Sequence, residues 1–414
     1  MFIIAKVLVV NYLGEGHVNP SIGLIKELVQ RGEQVTYYTS DLYKEKLQQT
    51  GAEFRPISMK AQALMKELVA NFQDHKNKSP VIGNMDKMMQ SMEWITDEIL
   101  ADIQNEVYDY VIFDAQSFPG KWVADIKKLP SYALWSTFAS SEKTSFFKKV
   151  MEKWSPEMKE QFLAKQQEME QITKRLEQKY GVPIPSFLTG MVVDAELHII
   201  FTSRLFQPES EHYNENYVFV GPSVTDRPEQ LDFPIEEIQN RRVVYMALGT
   251  IVNKRVDLYQ MCIEALKDLD VKVVLSIGNY LSPDDIGSIP DNFIVRNYVP
   301  QLEVLNHSDV FITHCGMNST NEGLYFGNAL VMLPLVNDQP VVAERVEKLG
   351  AGLLLDPQNL DADTLRKSVL EALNNPVYKE NSLKISRSFQ KAGGYVKAVD
   401  ELLKSTRKKT TNNL

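Results

Sequence analysis

Short apolar runs alternate with longer amphipathic segments at the start of the chain. Segments of four to six residues with strand-type composition, rich in apolar, aromatic or β-branched side chains, lie at 7–11, 34–39 and 54–57. Between them, apolar residues recur at the spacing that is typical of helices. Because each run is short and each connection is long enough for a helix, the pattern predicts successive β-α-β units. We therefore expect a doubly wound parallel sheet of the α/β class.

The same alternation starts again in the second half of the chain. Strands are predicted at 243–250, 272–277, 309–312 and 329–333, with a helix at 256–269. These runs have the length and composition of buried strands, and the segments between them again have room for crossover helices. The second half therefore predicts another doubly wound sheet.

A polar segment separates the two halves. Residues 221–242 carry three prolines among polar side chains, which is typical of an interdomain linker. A chain of 414 residues is also longer than one hydrophobic core usually serves. The sequence therefore predicts two Rossmann-like domains, at 1–220 and 243–385.

The composition is that of an ordinary globular protein, with 44% hydrophobic and 24% charged residues. The net charge of -9 argues against a nucleic-acid groove, which requires a basic face. Cys262 and Cys315 are too far apart in sequence to indicate a disulfide framework or a metal site. The apolar N-terminus has no basic leader, and no run reaches membrane-spanning length. We therefore expect a cytoplasmic protein without stable membrane insertion.

The segment 313–323 (THCGMNSTNEG) combines a tight turn with the start of a helix. The first N–H groups of a helix lack partners within the helix and lie at the positive end of its dipole, so they attract anions. Gly316 would let an oxygen-bearing ligand approach the backbone, and Glu322 would accept hydrogen bonds from sugar hydroxyls. Further donors are His314, Asn318 and Ser319. A well-capped helix beside a buried histidine explains the segment equally well.

Two residues in the first half suggest acid–base chemistry. His17 falls in the predicted loop 12–19, and Asp114 ends the apolar run 108–114, so both lie at the carboxyl edge of the predicted sheet. A histidine oriented by a carboxylate can remove the proton of an alcohol, because the carboxylate stabilises the imidazolium. The alternative is structural: His17 caps a helix that begins at Pro20, and Asp114 is a turn carboxylate.

The loop of His17 also contains Gly14-x-Gly16, which matches two glycines of the dinucleotide-binding fingerprint. Asn19 stands in place of the third glycine, and the first acidic residue after the second strand, Asp41, lies far down the chain. A nicotinamide-dependent oxidoreductase is thus an alternative that rests on this loop alone.

Four segments in fixed order resemble the nucleotide-sugar signature of family-1 UDP-glycosyltransferases. They are Tyr298-Val299-Pro300-Gln301, His314-Cys315-Gly316-Met317-Asn318-Ser319, Glu322 and Asp338-Gln339. Within this family the chain looks most like the bacterial macrolide-type enzymes, over its whole length. The resemblance implies the GT-B architecture, in which two facing Rossmann-like domains border an active cleft. It also implies that helices at 386–404 pack back on the first domain, and we expect 405–414 to be disordered.

The resemblance further implies the residues of the site. The donor-binding positions are Thr250, Tyr298, Val299, Gln301, His314, Gly316, Asn318, Ser319, Glu322, Asp338 and Gln339. Tyr298 would offer an aromatic face to uracil, and Thr250 would contact the diphosphate. Asp338 and Gln339 would accept hydrogen bonds from hexose hydroxyls. In the first domain, His17 would be the general base and Asp114 its partner.

The implied reaction is inverting transfer of a hexose, expected to be glucose from UDP-glucose. The acceptor would be a hydroxyl of a small apolar molecule such as a flavonoid, macrolide or terpenoid. The UDP-sugar is a co-substrate, and no further cofactor is expected. Acid-x-acid strings at 268–270 and 361–363 resemble the cation-binding string of metal-dependent glycosyltransferases. Both lie at predicted helix ends, where acidic residues are common, so we expect neither to bind a metal.

Other interpretations stay open. A non-catalytic sugar-nucleotide binder would keep the signature and lack a base. A UDP-sugar epimerase or hydrolase of similar architecture would act on the UDP-hexose without an acceptor. One wall of an acceptor pocket could come from a methionine-rich region, although a packing face explains it equally well. These methionines are Met59, Met65, Met85, Met88, Met89 and Met92.

Overall fold

Two parallel sheets organise the described part of the chain, as the alternation predicts. The structure is a computed structural model that describes residues 4–72, 80–141, 143–184, 192–224, 232–250 and 252–412. The chain divides into two units: unit 1 comprises Met1–Thr225 and Ala392–Leu414, and unit 2 comprises Asp226–Lys391. Each described sheet lies within one unit.

The sheet of unit 1 has seven parallel strands. They are β1 (Lys6–Val10), β2 (Gln34–Thr39), β3 (Glu53–Pro56), β4 (Tyr110–Asp114), β5 (Ser131–Trp135), β6 (Leu197–Ile200) and β7 (Tyr217–Phe219). The helices among them are α1 (Glu15–Gln30), α2 (Lys44–Gln48), α3 (Met59–Phe72), α4 (Pro80–Gly83), α5 (Met85–Asp102), α6 (Pro119–Lys127), α7 (Phe146–Glu152) and α8 (Pro156–Tyr180). The strand order is β3-β2-β1-β4-β5-β6-β7, so the order reverses between β1 and β4.

The core of unit 1 follows from the alternation of side chains along each strand. Val7 and Val9 of β1 pack on one face of the sheet in a cluster that includes Leu24 of α1. Leu8 and Val10 belong to a cluster on the other face. Because successive strand residues point to opposite faces, a strand that is covered on both sides needs an unbroken apolar run. This requirement explains why the strand is recognisable in the sequence.

The sheet of unit 2 has six parallel strands. They are β8 (Val243–Ala247), β9 (Lys272–Ser276), β10 (Phe293–Arg296), β11 (Val310–Thr313), β12 (Ala329–Met332) and β13 (Gly352–Leu354). The helices are α9 (Val256–Leu266), α10 (Gln301–His307), α11 (Met317–Tyr325), α12 (Gln339–Lys348), α13 (Ala362–Asn374) and α14 (Pro376–Lys391). The strand order is β10-β9-β8-β11-β12-β13, with the reversal between β8 and β11.

The predicted start of the first helix is wrong. α1 begins at Glu15, five residues before the predicted start, and contains Pro20. The carbonyl of Gly14 accepts the backbone N–H groups of His17 and Val18, at 3.0 and 3.2 Å, which closes the first turn. Pro20 has no N–H, so α1 loses the hydrogen bond to the carbonyl of Gly16, four residues back. The helix continues on both sides of Pro20. His17 therefore lies in the first turn of a helix and not in a loop.

The return of the chain to unit 1 comes later than the predicted residue 386. α14 continues to Lys391 within unit 2, because Ser386 donates a hydrogen bond to the carbonyl of Tyr325 and Phe389 is buried. The chain then enters α15 (Gly394–Asn412) in unit 1. Residues 225–231 of the predicted linker lie outside the described residues.

α15 also corrects the expectation of a disordered tail at 405–414 as far as residue 412, and residues 413–414 lie outside the described ones. The helix extends to Asn412, and residues 395–412 contain no glycine or proline that would end it. Ala398, Val399 and Leu402 are buried in the same cluster as β1 and α1, so packing in unit 1 fixes the first turns of the helix.

None of the helices in the described ranges combines the length and apolarity that a membrane crossing requires.

His198 is a buried histidine in the middle of the unit 1 sheet. It lies in β6 and is 4% exposed. Trp135 donates its Nε1–H to Nδ1 of His198 at 3.1 Å, and the ring stacks on Tyr217 with centroids 4.1 Å apart. Desolvation by burial lowers the pKa of His198 to about 4, because the interior disfavours the imidazolium.

This burial predicts that unit 1 loses stability in mild acid. The folded-state pKa of His198 lies below the ordinary value of 6.5, so the unfolded chain takes up the proton first. The contribution is complete above pH 6.5 and decreases as the pH falls toward 4. We expect unit 1 to lose roughly 2 kcal/mol between pH 8 and pH 5 from this residue. Urea unfolding followed by tryptophan fluorescence measures it, since all four tryptophans lie between residues 94 and 154.

Two variants isolate this residue. His198→Gln has no proton to take up, so its stability should change less between pH 8 and pH 5 than that of the wild type. His212 is exposed, and His212→Gln should keep the wild-type pH dependence. Equal pH dependence in His198→Gln and the wild type would contradict the prediction.

Candidate functional site

His17 and Asp114 meet at the carboxyl edge of the unit 1 sheet. His17 lies in the first turn of α1, which follows β1, and Asp114 ends β4, the hydrogen-bonded neighbour of β1. Nδ1 of His17 lies 2.8 Å from Oδ2 of Asp114. Oδ1 of Asp114 accepts the backbone N–H of Gln116 at 2.8 Å, and the residue is 2% exposed. The structure thus brings the predicted pair together, while its catalytic role stays a prediction.

The contact defines which nitrogen of His17 can act as a base. A carboxylate only accepts hydrogen bonds, so the proton of the neutral ring lies on Nδ1 and Nε2 is the basic nitrogen. The ring of Tyr12 lies 4.7 Å away from the imidazole, centroid to centroid. Desolvation, reinforced by the Asp114 carboxylate, raises the pKa of Tyr12 to about 12, so the phenol stays protonated. The side chain of His17 is 19% exposed, which leaves it accessible to a ligand.

A buried polar network supports the helix turn that carries His17. Nδ2 of Asn11 donates to the carbonyl of His17 at 3.2 Å and to Oη of Tyr37 at 2.5 Å. Oγ of Ser21 lies 2.8 Å from the same phenol oxygen. Because Asn11 and Ser21 are buried, these hydrogen bonds fix the start of α1 against β1 and β2. Asn11 does not stand out in the sequence, because an asparagine after a strand is an ordinary turn residue.

Ser136 is a member of this cluster that the sequence analysis missed. It follows directly after β5, which pairs with β4, and its Oγ lies 2.9 Å from Nδ1 of His17. It is 7% exposed. Ser136 is 119 residues away from His17 in sequence, so no local spacing singles it out.

The surroundings of Gly14 do not favour the dinucleotide alternative. A Cβ atom at Gly14 would lie 3.4 Å from the rings of both His17 and Tyr12. The glycines of a dinucleotide fingerprint keep the backbone open to a pyrophosphate. Here two side chains lie beside the first glycine.

In unit 2, the predicted donor-binding turn lies where the strand order reverses. β8 and β11 are neighbours; Gly249 is the second residue after β8, and His314 directly follows β11. Cys315 adopts φ = 64°, a left-handed conformation that is uncommon for a residue with a side chain. This turn leads into α11, whose first turn contains Asn318 and Ser319, both half-buried. Thr250 is exposed at the same edge of the sheet.

Two glycines make room for the ring of His314. A Cβ atom at Gly249 or at Gly316 would lie 2.5 Å from Nε2 of His314, closer than such atoms can approach. Gly316 has φ = −59°, so its backbone does not require glycine. The sequence predicts that Gly316 lets a ligand approach the backbone, and the structure adds a second reason for glycine, the fit of the His314 ring. Desolvation lowers the pKa of His314 to about 4, opposed by the backbone of Ala247, so the ring is neutral at pH 7.

Glu322 is held by a chain of hydrogen bonds that includes another predicted residue. Nε2 of Gln301 donates to Oε2 of Glu322 at 2.6 Å, and Tyr245 donates its hydroxyl to Oε1 of Gln301 at 2.9 Å. Tyr245 also stacks on Phe311, with centroids 4.9 Å apart. Glu322 is 5% exposed. The arrangement fixes the Gln301 amide and the Glu322 carboxylate relative to β8 and β11, and Tyr245 was not anticipated from the sequence.

Tyr298 and Val299 follow β10, but their environments differ. Tyr298 is 45% exposed, which suits an aromatic surface for a base, whereas Val299 is buried. The loop after β9 is tied to this segment, because Nδ2 of Asn297 donates to the carbonyls of Gly278 and Leu281, each at 2.6 Å.

Gln339 already uses its acceptor oxygen within the protein. Oε1 of Gln339 accepts the backbone N–H groups of Leu335 and Val336, at 2.7 and 2.9 Å. Its amide N–H groups are thus the atoms that it can offer to a ligand, and the contact of Gln339 with a hexose stays a prediction. Asp338 is the N-cap residue of α12 and half-buried.

The acid-x-acid strings lie apart from these residues. Asp361 is the N-cap of α13 and accepts the N–H of Thr364 at 2.7 Å. Asp268 and Asp270 follow the end of α9. In the ranges that the structure describes, no group of three or more metal-ligating side chains comes together.

Four of the six methionines of the methionine-rich region pack in one hydrophobic cluster, which Met88 joins as a partly buried member. Met85, Met89 and Met92 of α5 are buried in a cluster with Phe113, Trp122 and further residues. Met59 is 82% exposed at the start of α3. The four side chains therefore form a packing face, as one of the two interpretations expects.

Comparison with known proteins places these residues in a family. Residues 5–393 match the model of the family described as UDP-glucoronosyl and UDP-glucosyl transferase. The chain is 40% identical over 410 residues to the uncharacterized UDP-glucosyltransferase YojK of Bacillus subtilis (strain 168), covering 98% of each protein. It is 33% identical over 399 residues to the NDP-glycosyltransferase YjiC of Bacillus licheniformis, covering 95% of each.

A more distant relative and a solved structure agree with this match. The chain is 26% identical over 409 residues to the oleandomycin glycosyltransferase of Streptomyces antibioticus, covering 96% of this chain and 90% of that protein. The structure of CalG4, the calicheamicin glycosyltransferase, superposes with a TM-score of 0.81 at 26% identity, covering 98% of each chain. The two Rossmann-like parallel-sheet domains are those of GT-B glycosyltransferases.

Because the His314 ring fits closely beside Gly316, a methyl group added at residue 316 should destabilise the structure locally. Gly316→Ala should force the ring to move, at a cost of about 1–3 kcal/mol that is typical of overpacking. In a His314→Ala background the same change should cost much less, because the clash is absent. Hydrogen–deuterium exchange of peptides covering 313–325 measures both differences. Equal costs in the two backgrounds would show that the ring and the methyl group do not compete for space.

Proposed function

Because the chain belongs to the UDP-glucoronosyl and UDP-glucosyl transferase family, we propose that it transfers glucose from UDP-glucose to a hydroxyl of a small apolar acceptor. The enzyme is a family-1 glycosyltransferase that acts on natural-product acceptors. The proposal adds the donor, the acceptor class and the roles of individual residues. Flavonoids, macrolides and terpenoids are the acceptor types that it names.

The observation that carries the proposal is the 2.8 Å contact between His17 and Asp114 at the carboxyl edge of the unit 1 sheet. In the proposed step, Nε2 of His17 takes the proton of the acceptor hydroxyl as its oxygen attacks the anomeric carbon. The bond between that carbon and the UDP oxygen breaks, and its electron pair leaves with UDP. A single displacement of this kind inverts the anomeric configuration. Asp114 stabilises the imidazolium that forms, and such base catalysis contributes ~10² to 10⁴ in rate.

The residues of unit 2 are assigned to the donor. The N-terminal turn of α11, with Asn318 and Ser319, supplies donors to the diphosphate, as helix starts commonly do. His314 is neutral at pH 7, so it contributes a hydrogen bond and not a charge. Glu322, held by Gln301, accepts from the ribose hydroxyls. Tyr298 stacks on uracil. The side chain of Val299 is buried, so an edge contact with the base at this position falls to its backbone.

The remaining predicted residues are assigned to the sugar and to the diphosphate, and the proposed mechanism uses no metal ion. Asp338 accepts a hydrogen bond from a hexose hydroxyl, and the amide of Gln339 donates one. Thr250 contacts the diphosphate. The negative charge that develops on the leaving UDP is stabilised by these hydrogen bonds and by the helix dipole, so no divalent cation is required.

Calorimetric titration and a transfer assay test the function. With a chelator present, the protein should bind UDP saturably and show no binding of NADP⁺. It should then form a β-glucoside from UDP-α-glucose and one member of a panel of phenols, macrolides and terpenoids. Binding of NADP⁺ without UDP would support the oxidoreductase alternative. Release of free glucose at the same rate with and without every acceptor would indicate a hydrolase.

Two single variants should separate the acceptor chemistry from donor binding. His17→Ala should lose at least ~10²-fold in kcat, because no other base replaces it, with UDP affinity within about twofold of the wild type. Glu322→Gln keeps the volume of the buried side chain but loses its charge and one acceptor. It should weaken UDP binding first and affect kcat less. Unchanged turnover in His17→Ala would remove this residue from the mechanism.

A further inference from the structure

Ser136 is placed at the base by the ends of three neighbouring strands. β1, β4 and β5 are adjacent in the sheet, and His17, Asp114 and Ser136 follow or end them in that order. Oγ of Ser136 lies 2.9 Å from the same ring nitrogen, Nδ1 of His17, that contacts Asp114. Two polar side chains from different strands therefore converge on one atom of the imidazole.

The chemistry of that atom determines the direction of the hydrogen bonds. If Ser136 donated its proton to Nδ1, the nitrogen lone pair would also face the Asp114 carboxylate at 2.8 Å, and two acceptors would oppose each other. With the proton on Nδ1, both Asp114 and Ser136 accept from it, and the contact is a shared hydrogen bond. The shared bond leaves Nε2 as the basic nitrogen.

The frame around Ser136 is rigid. The carbonyl of Leu134 accepts the N–H of Ala115 at 2.9 Å, and the carbonyl of Trp135 accepts the N–H of Phe201 at 3.1 Å. The indole of Trp135 is held by its hydrogen bond to His198. A side chain on such a frame can position another one within a fraction of an ångström.

We propose that Ser136 is a positioning residue for the base, which fixes the plane of the His17 ring so that Nε2 faces the acceptor hydroxyl. This inference rests on the proposed function. A single contact with Asp114 lets the ring pivot about the line between Nδ1 and Oδ2. A second acceptor at Nδ1, from a different direction, opposes that rotation. Ser136 acts through His17 and requires no contact with either substrate.

Kinetics of a matched set of variants tests the role. Ser136→Ala should lower kcat by about 3- to 10-fold, the range expected for one hydrogen bond, with both KM values within about twofold. Ser136→Thr keeps the hydroxyl and should recover most of the loss. Ser131 lies at the opposite end of β5 and is also buried, at 6% exposed, so Ser131→Ala should keep wild-type kinetics.

The double variant distinguishes positioning from a general structural effect. In a His17→Ala background, Ser136→Ala should cause no further loss of the residual activity, because the residue through which it acts is absent. A similar fold loss in both backgrounds would overturn the proposal. Equal kcat in Ser136→Ala and the wild type would overturn it as well.

Nuclear magnetic resonance tests the inference independently of glycosyl transfer. Two-bond ¹⁵N–¹H spectra of the histidine rings should show His17 with its proton on Nδ1, and the Nδ1 signal should change in Ser136→Ala but not in Ser131→Ala. If the wild type transfers no sugar, the proposed function fails, and these spectra still decide whether Ser136 restrains the ring. An unchanged His17 signal in Ser136→Ala would overturn the inference even in an active enzyme.

Discussion

Parallel strand pairing is the constraint on which the rest of this protein depends. Parallel strands require helical crossovers, so every strand of a sheet ends at the same edge, and the residues after those ends come together from distant parts of the sequence. In unit 1 this geometry brings the side chains of Asp114 and Ser136 to the same ring nitrogen of His17. In unit 2 it brings Gly249 beside His314. Both groups lie next to the point where the strand order reverses, because only there do crossovers leave in opposite directions and open a crevice.

Buried hydrogen bonds then convert this placement into fixed geometry. Asn11 ties the carbonyl of His17 to the phenol of Tyr37, and Gln301 connects Tyr245 to Glu322. In both cases an amide, which can donate and accept at once, restrains a predicted site residue: Asn11 holds the backbone of His17, and Gln301 holds the side chain of Glu322. A buried polar group without partners is costly, so such networks persist only when each member is satisfied. The buried residues that hydrogen-bond to each site therefore need particular donors and acceptors, as the residues that face the ligand do.

The sequence predicted the elements that depend on local pattern and missed those that depend on contact. The two sheets follow from the alternation of short strand-type segments, many of them apolar, with longer helical ones, and the family follows from four short segments in fixed order. His17 and Asp114 could be paired because each lies at a strand end. The start of α1 was misplaced, since Pro20 is a strong local signal and the hydrogen bonds of Gly14 that override it are not visible in the sequence. Ser136 and the fit of His314 against Gly316 arise from contacts that only the fold creates.

The histidines of the two sites differ in electrostatic environment, and the difference matches the chemistry proposed for each. His17 lies beside a buried carboxylate, which stabilises the imidazolium as a proton arrives. His314 is desolvated, with its pKa lowered to about 4, so without a ligand the ring is neutral at pH 7. A neutral donor binds the anion without adding a charge that would have to be neutralised after UDP leaves. A carboxylate beside His314 would favour the imidazolium, which would hold the anionic leaving group more tightly. Apolar surroundings for His17 would disfavour its protonated form. The opposite environments therefore suit a base in one unit and a leaving-group site in the other.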